Sequence, residues 1–581
     1  MTEAGAVSGT AYPAGASLSG LLLGRGTLLR IPVYVWLAVL VLAPNILLVV
    51  TSFMSSQSGV VVYAPTLKNY LSIFTSWTVQ LLTLKTLAVS AIAAVVATAV
   101  AYPLAYYVSR KLSRGKQIAA LMIVIPLWIS LLMRIFAWRV ILGEHGILNG
   151  LLLSTGVVDE PSALFLYNPV AVVFTMTSIL IPYVFISAFT AIERVPFSLV
   201  EAARDNGASA YRTFTTVVWP LTREGTGIGL ALAFLMAVGD FVTPSMVGGL
   251  NGTMLGMVIS SQFGMGANWP LGAAISVYLL VLVAIVLGLL VRFTRSRGVL
   301  TEVDAGAPAQ IAPWKDLTGR DRLLRVVGRI LFVLPYIYLY APLVVITLFS
   351  FNDSTVQSLP FSGFTWKWYA ALPDDRALIG AVWLTFKLAL IVTVIGTVVA
   401  TAFAFVLAGW RGPGSSLIEK LVALPVAVPG VVLGISMVMI ATLAGIAPGL
   451  GRLLLGHIVF VMPVVLLVIL ARLRRIDESY ALASRDLGAG WWSTFVRIQF
   501  PMISSAVIGG ALLGFTLSVD EVMVSLFLTG TEPTLPVYVW NQTRFGFTPS
   551  VNAIFTVIGV ISLVLVIASQ ALLRSNPRQA H

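Results

Sequence analysis

The chain has 581 residues, 58% of them hydrophobic and only 10% charged, with a net charge of +13. A water-soluble chain carries roughly 25% charged residues, so a soluble fold is excluded and lipid must solvate much of the surface. There is no cysteine, and His145, His457 and His581 are far apart. Disulfides, thiolate sites and Cys nucleophiles are therefore excluded, and no metal-ligand spacing appears.

Residues 1–30 are small and polar and predict a disordered cytoplasmic lead-in. The apolar run from Ile31 is too long and uninterrupted for a cleaved signal peptide, so it reads as a first membrane span. Runs of about twenty apolar residues, the length of a spanning helix, predict spans near 31–53, 80–108, 118–142, 167–190, 225–248 and 270–292. They recur near 330–351, 380–408, 418–444, 453–471, 505–528 and 552–573. The expectation is an all-α membrane protein of about 12 transmembrane helices in two homologous six-helix halves. The halves, 31–292 and 330–573, are joined by a basic linker, 293–329, with a cytoplasmic tail at 574–581.

Most of the 36 lysines and arginines fall in alternate loops, such as Arg110 to Lys116, Arg194 to Arg223 and Arg472 to Arg497. That bias predicts cytoplasmic basic loops and cytoplasmic termini. No basic patch interleaves with aromatics, so nucleic acid is not an expected partner. The opposite loops hold Glu144, Asp159, Glu160, Asp353, Asp374, Asp375 and Glu532. Simple depletion of basic residues explains this lean, and so does an outer face that favours cationic cargo.

The second half repeats the first. Glu201-Ala-Ala-Arg-Asp-Asn-Gly207 through Pro220 aligns with Leu482-Ala-Ser-Arg-Asp-Leu-Gly488 through Pro501. Gly207 and Gly488 are 281 residues apart, as are Pro220 and Pro501. An even number of spans per copy gives both copies one orientation about an axis along the membrane normal.

The spacing Glu201-Ala202-Ala203, Gly207, Ala208, Pro220 resembles the coupling-loop signature of ABC importer permeases with the type I fold. Small alanines favour a closely packed helix, Gly207 permits a turn, and Pro220 suits a helix start. The resemblance implies a short helix seated in a groove on an ATP-hydrolysing subunit. The second copy, Leu482, Ala483, Gly488, Ala489 and Pro501, lacks the Glu, so the two docking sites are expected to be unequal. No G-x-x-x-x-G-K-[ST] phosphate loop is present, so the ATPase is expected to be a separate polypeptide.

Pro126-Leu-Trp-Ile-Ser130, Arg134-Ile-Phe-Ala-Trp138 and Gly146-Ile-Leu-Asn-Gly150 resemble the first permease of spermidine/putrescine importers. Phe351-Asn-Asp353, Gly363-Phe-Thr-Trp-Lys-Trp-Tyr369 and Leu517-Ser-Val-Asp-Glu521 resemble the second. The resemblance implies two copies of an ATPase subunit, a periplasmic or surface-tethered substrate-binding protein, a plasma-membrane location and inward transport of a small cation. It implies no cofactor and no catalytic residue. Related permeases carry ferric iron, thiamine or amino-phosphonates. An ion-gradient-driven carrier of two six-span halves is the rival class, and it has no need of a paired coupling loop.

Acids inside spans are costly and mark functional positions. Asp240, Asp520 and Glu521 are therefore candidate pathway residues, with Asp240 and Glu521 as repeat partners; the plainer alternative is that they bond backbone and hold spans together. Arg134 and Arg139 snorkel or face a binding protein. Trp128 and Trp138 are cation–π candidates, or members of an interfacial belt. Pro126, Pro425 and Pro429 are expected to bend the third spans.

Overall fold

The computed structural model describes residues 30–112, 115–264, 266–294, 319–355, 357, 361–410, 412, 414–545 and 548–561. The predicted lead-in, most of the linker, the end of span twelve and the tail lie outside these residues, as does the side chain of Trp128. Among the described residues, nine helices are long and apolar enough to cross a bilayer, and two bent helix pairs bring the number to 11. A shorter apolar helix, Pro549–Ile561, lies where span twelve is predicted. The helix carrying span seven begins at Gly319, inside the stretch predicted as linker.

The long spans start at side chains that satisfy free helix N–H groups. The Ser76 hydroxyl caps Trp77–Lys111, the Asn168 carbonyl caps Pro169–Glu193, and the Asp375 carboxylate caps Arg376–Ala408. Arg110 and Lys111 close span two at the negative end of its dipole.

Spans two, four and five pack as a three-helix core in each half. Lipid gives no hydrophobic drive between helices, so close packing of small residues does this work. A Cβ on Gly229 would stand 3.2 Å from the Val184 backbone, and one on Gly510 3.1 Å from the Val465 side chain. These two contacts are equivalent under the 281-residue offset.

The duplication is also written in hydrogen bonds. Ser52 and Tyr70 pair at 2.7 Å, as do Ser350 and Tyr369. The Leu255 N–H donates to the Thr86 hydroxyl at 2.8 Å, and the Leu535 N–H to that of Thr385 at 2.7 Å. The first span of each half crosses to the other half's third span: span one packs on Gly430–Leu443, and span seven on Leu131–Leu142. Tyr336 and Tyr340 of span seven donate to the carbonyls of Ala119 and Met122 at 2.9 and 2.8 Å.

Both third spans break. Lys116–Leu127 meets Leu131–Ser154 at 89°, and Ser415–Ala427 meets Gly430–Leu443 at 103°. Val428 is extended (φ −87°, ψ 130°) because Pro429 disfavours the helical region for the residue before it. In the first half Ile129 and Ser130 are extended without a proline there, and Pro126 sits in the preceding 3-10 turn Ile125–Trp128. Pro425 lies inside an unbroken helix.

Candidate functional site

Spans five and eleven, predicted as continuous over 225–248 and 505–528, are also broken. Trp219–Gly239 stops at Asp240, which is extended, and the chain restarts as Val242–Val247. Phe500–Asp520 stops at Glu521, also extended, and restarts as Met523–Leu528. Hydropathy does not register a change of direction, so both apolar runs look uninterrupted in sequence.

The repeat-paired acids cap the restarted helices. Asp240 Oδ1 accepts from the N–H groups of Val242 and Thr243 at 2.8 and 3.0 Å, and its Oδ2 accepts from the Thr243 hydroxyl. Asp240 is thereby buried and fully engaged. Glu521 Oε1 accepts from the Val524 N–H at 2.8 Å. Capping supplies acceptors to helix N–H groups that have no partner within the helix.

The two halves meet at these breaks. In one meeting, Gly239 lies against Pro429; a Cβ there would stand 2.8 Å from Pro429 Cβ. In the other, Asp520, the repeat counterpart of Gly239, faces the break before Leu131. The Leu131 N–H donates to Asp520 Oδ1 at 2.6 Å, and Arg134 Nη2 is 4.0 Å from Oδ2. Arg134 is 3% exposed, and its Nε and Nη1 have no hydrogen-bond partner. Leu433 occupies the corresponding place in the second half, so this charged clasp belongs to one interface only. Tyr183 of span four lies in electrostatic reach of Arg134, Asp520 and Glu521.

Arg134 therefore does not snorkel; it points inward. Trp138 is also placed inside. Its indole N–H donates to the Ser178 hydroxyl at 2.8 Å, and its rings pack on Phe174 and Tyr338 at 4.8 and 5.1 Å. Arg139 reaches Tyr167 at 3.5 Å.

Sequence reasoning passed over His457. It is fully buried, with Nδ1 2.8 Å from the Ser518 hydroxyl and Nε2 2.8 Å from that of Ser525. These serines flank Asp520 and Glu521, so His457 joins span ten to both sides of the break. The first half carries Met176, Ala237 and Pro244 at the same register. Counting polar residues absent from the partner repeat would have found this group. His457→Met is predicted to strand the Ser518 hydroxyl, at a cost of about 1–3 kcal/mol, and to lower the unfolding temperature in detergent. Adding Ser518→Ala should recover much of the loss; an unshifted melting curve for the single variant would count against the staple.

At the basic side, the two loops of the motif adopt one conformation. Phe197–Asp205 ends at Gly207 (φ +79°), and Ser479–Asp486 at Gly488 (φ +83°). Only glycine adopts such φ values without strain. Ala208 donates to Ala203 at 3.0 Å and Gly207 to Arg204 at 2.8 Å; Ala489 donates to Ser484 at 3.1 Å and Gly488 to Arg485 at 2.9 Å. This pair of bonds is the Schellman ending of a helix. Glu201, Ala202, Leu482 and Ala483 face solvent, while Ser484 turns inward to Thr494 at 3.0 Å. The Ser479 amide and hydroxyl hold the Asp477 carboxyl below its ordinary range.

A short helix then runs into the span through a π turn, Phe214–Val218 or Phe495–Gln499. Pro220 and Pro501 follow at once. A proline cannot donate to the carbonyl four residues back and crowds it, and the widened turn accommodates that defect.

Among the described residues no group of His, Asp or Glu could hold a metal ion. The breaks can present charge at the interface between halves, and the loops can present a rigid surface beyond the bilayer.

The sequence pattern described as "Binding-protein-dependent transport system inner membrane component" matches residues 101–297 and again 394–578. The chain belongs to that family. Members of the family are permease subunits of ABC importers, working with ATPase and substrate-binding partners, and this one is a multi-pass membrane protein of the same kind. The chain is 33% identical over 256 residues to the spermidine/putrescine transport system permease protein PotB of Haemophilus influenzae, covering 44% of this chain and 89% of that one. It is 34% identical over 244 residues to the corresponding PotC of Escherichia coli K12, covering 42% of this chain and 92% of that one. Each relative is thus about half this length, and the family domain occurs here twice in one polypeptide. A bacterial ABC transporter involved in the import of the acidic polysaccharide alginate aligns with 45% of this chain at 17% identity and a TM-score of 0.34, a similarity too slight to carry weight.

Proposed function

We propose that this chain is the whole transmembrane pathway of an ATP-driven importer for polyamines, with both permease domains in one polypeptide. The carrying observation is the acid pair at the span-eleven break. Asp520 and Glu521 sit side by side where the two halves meet, and Glu521 has no hydroxyl beside it like the Thr243 hydroxyl that takes the second oxygen of Asp240. A carboxylate pair inside a membrane suits a chain of ammonium groups. The spermidine/putrescine relatives of matching sequence support that cargo.

Asp240, engaged on both oxygens, serves the fold of the first half. Two copies of an ATPase subunit dock on the loops at Glu201 and Leu482, and a binding protein delivers cargo to the opposite face. The basic side and both termini are cytoplasmic in the plasma membrane.

Uptake of labelled spermidine into inside-out-corrected vesicles containing this chain, its ATPase and its binding protein tests the reading. Uptake should require ATP and be competed by putrescine. Competition by ferric iron, thiamine or amino-phosphonate in place of putrescine would move the cargo. Uptake driven by an ion gradient without ATP would sink the importer itself.

A further inference from the structure

The two coupling loops present unlike surfaces at the same register. The first offers Glu201, Asn206, Ala210 and Tyr211; the second offers Leu482, Leu487, Trp491 and Trp492. Leu487 is 89% exposed, Trp491 65% and Trp492 66%. The two indoles are 5.9 Å apart, and both stack on Phe495, at 5.9 and 5.6 Å. The second loop thus ends in one aromatic ledge, where the first has an alanine and a single tyrosine.

Arg472 Nε donates to the Met502 carbonyl at 3.3 Å, which ties span eleven to the basic end of span ten, where the hydrocarbon stops. Trp491–Asp520 is one continuous helix. Trp491 lies eleven residues beyond Met502, about 16 Å at 1.5 Å per residue. The headgroup layer is only roughly 5–8 Å deep. On a helix near the bilayer normal that length carries the indoles past the headgroups, and a contiguous apolar patch there marks a protein partner.

We propose that the second loop is the stronger grip on the ATPase, with Trp491 and Trp492 as aromatic anchors in an apolar pocket of that subunit. The first loop holds its copy mainly through polar contacts at Glu201. This rests on the reading of both loops as ATPase docks. The occupant follows from symmetry: both loops share the glycine ending, the short helix and the π turn, so whatever faces one in shape faces the other. Identical ATPase copies then carry a groove with an apolar pocket, filled at the second loop, beside a polar group that only Glu201 engages. Buried aromatics dominate such interfaces, while polar contacts near the rim contribute little.

The test is capture of the ATPase by the full chain in nanodiscs. The double variant Trp491→Ala/Trp492→Ala should weaken capture more than tenfold, because buried aromatic anchors carry most of the binding in such an interface. Its own unfolding temperature should not move, since both rings are exposed. Trp491→Phe/Trp492→Phe should restore most of the binding, and Glu201→Leu should weaken it by less than about threefold. Loss with Glu201→Leu and retention with the double alanine variant would overturn the ranking yet leave both loops as docks. Unchanged capture with both would overturn the docking reading as well, and loss of capture by the double variant only in nanodiscs of anionic lipid would assign the ledge to lipid instead.

Discussion

Replacing Asp520 by Asn is expected to abolish most polyamine uptake while the chain still inserts. The substitution removes a carboxylate from the acid pair, and it also leaves Arg134 buried with no counter-charge. Breaking a buried pair in this way costs about 3–5 kcal/mol, so loss of uptake alone would not separate a role in transport from a role in folding. The double variant Asp520→Asn/Arg134→Leu separates them. Leu is what the second half carries at this position, as Leu433, so the double variant should melt close to the native chain. If Asp520 meets the cation, uptake stays at least tenfold down in the double variant, chiefly through a raised KM. If Asp520 only holds Arg134, the double variant transports normally, and the acid pair loses its claim on the substrate.

Gly239→Leu is expected to produce the second large effect, through shape alone. A Cβ at Gly239 would stand 2.8 Å from Pro429 Cβ, 3.1 Å from its Cα and 3.4 Å from the Gly430 nitrogen. A proline ring and a backbone nitrogen have little room to give. Overpacking a tight contact costs about 1–3 kcal/mol, and here the cost falls on the surface where the halves must move. Uptake should fall more than tenfold and the melting temperature by several degrees. Gly380→Ala is the control, because nothing lies within 4 Å of its Cβ; the helix there should be unchanged or slightly firmer. Normal transport by Gly239→Leu would mean that this contact opens during the cycle at no cost.

Much of this architecture is legible in the residues. Span lengths follow from bilayer thickness, and the repeat follows from the glycine and proline of the coupling loops. The positive φ of Gly207 and Gly488 is what their spacing implied. The breaks were harder to see. A proline explains the one at Val428, but Ile129 and Ser130 bend without one, held by Asp520 from 389 residues away. Such a contact has no local signature. Trp138 illustrates a second limit. In Leu131–Leu142 nearly every residue is apolar, so no pattern says which face is inward. Only packing against Phe174 and Tyr338 decides it. Asp240 and Glu521 align in sequence, yet one is fully consumed by capping and the other is not. The difference lies in Thr243, whose hydroxyl occupies the second oxygen, where the other repeat has Val524.

The paired π turns carry a statement about ancestry. Each widens the helix by a residue just before a proline, at Phe214–Val218 and Phe495–Gln499. A third π turn, Leu37–Leu42, has no partner in span seven, but such turns are rare, and the coincidence of these two at one register before a proline makes two independent origins less economical than one. The turn and the glycine ending, common to both repeats, are therefore most simply features of the repeated unit itself. The Arg134–Asp520 clasp, the His457 staple and the tryptophan ledge each occur on one side only, so these are the places where the two repeats differ. In a pair of identical chains, a gain on one surface is imposed on both. With two repeats of unlike sequence, each side can be altered alone, and one polypeptide keeps the unequal pair together.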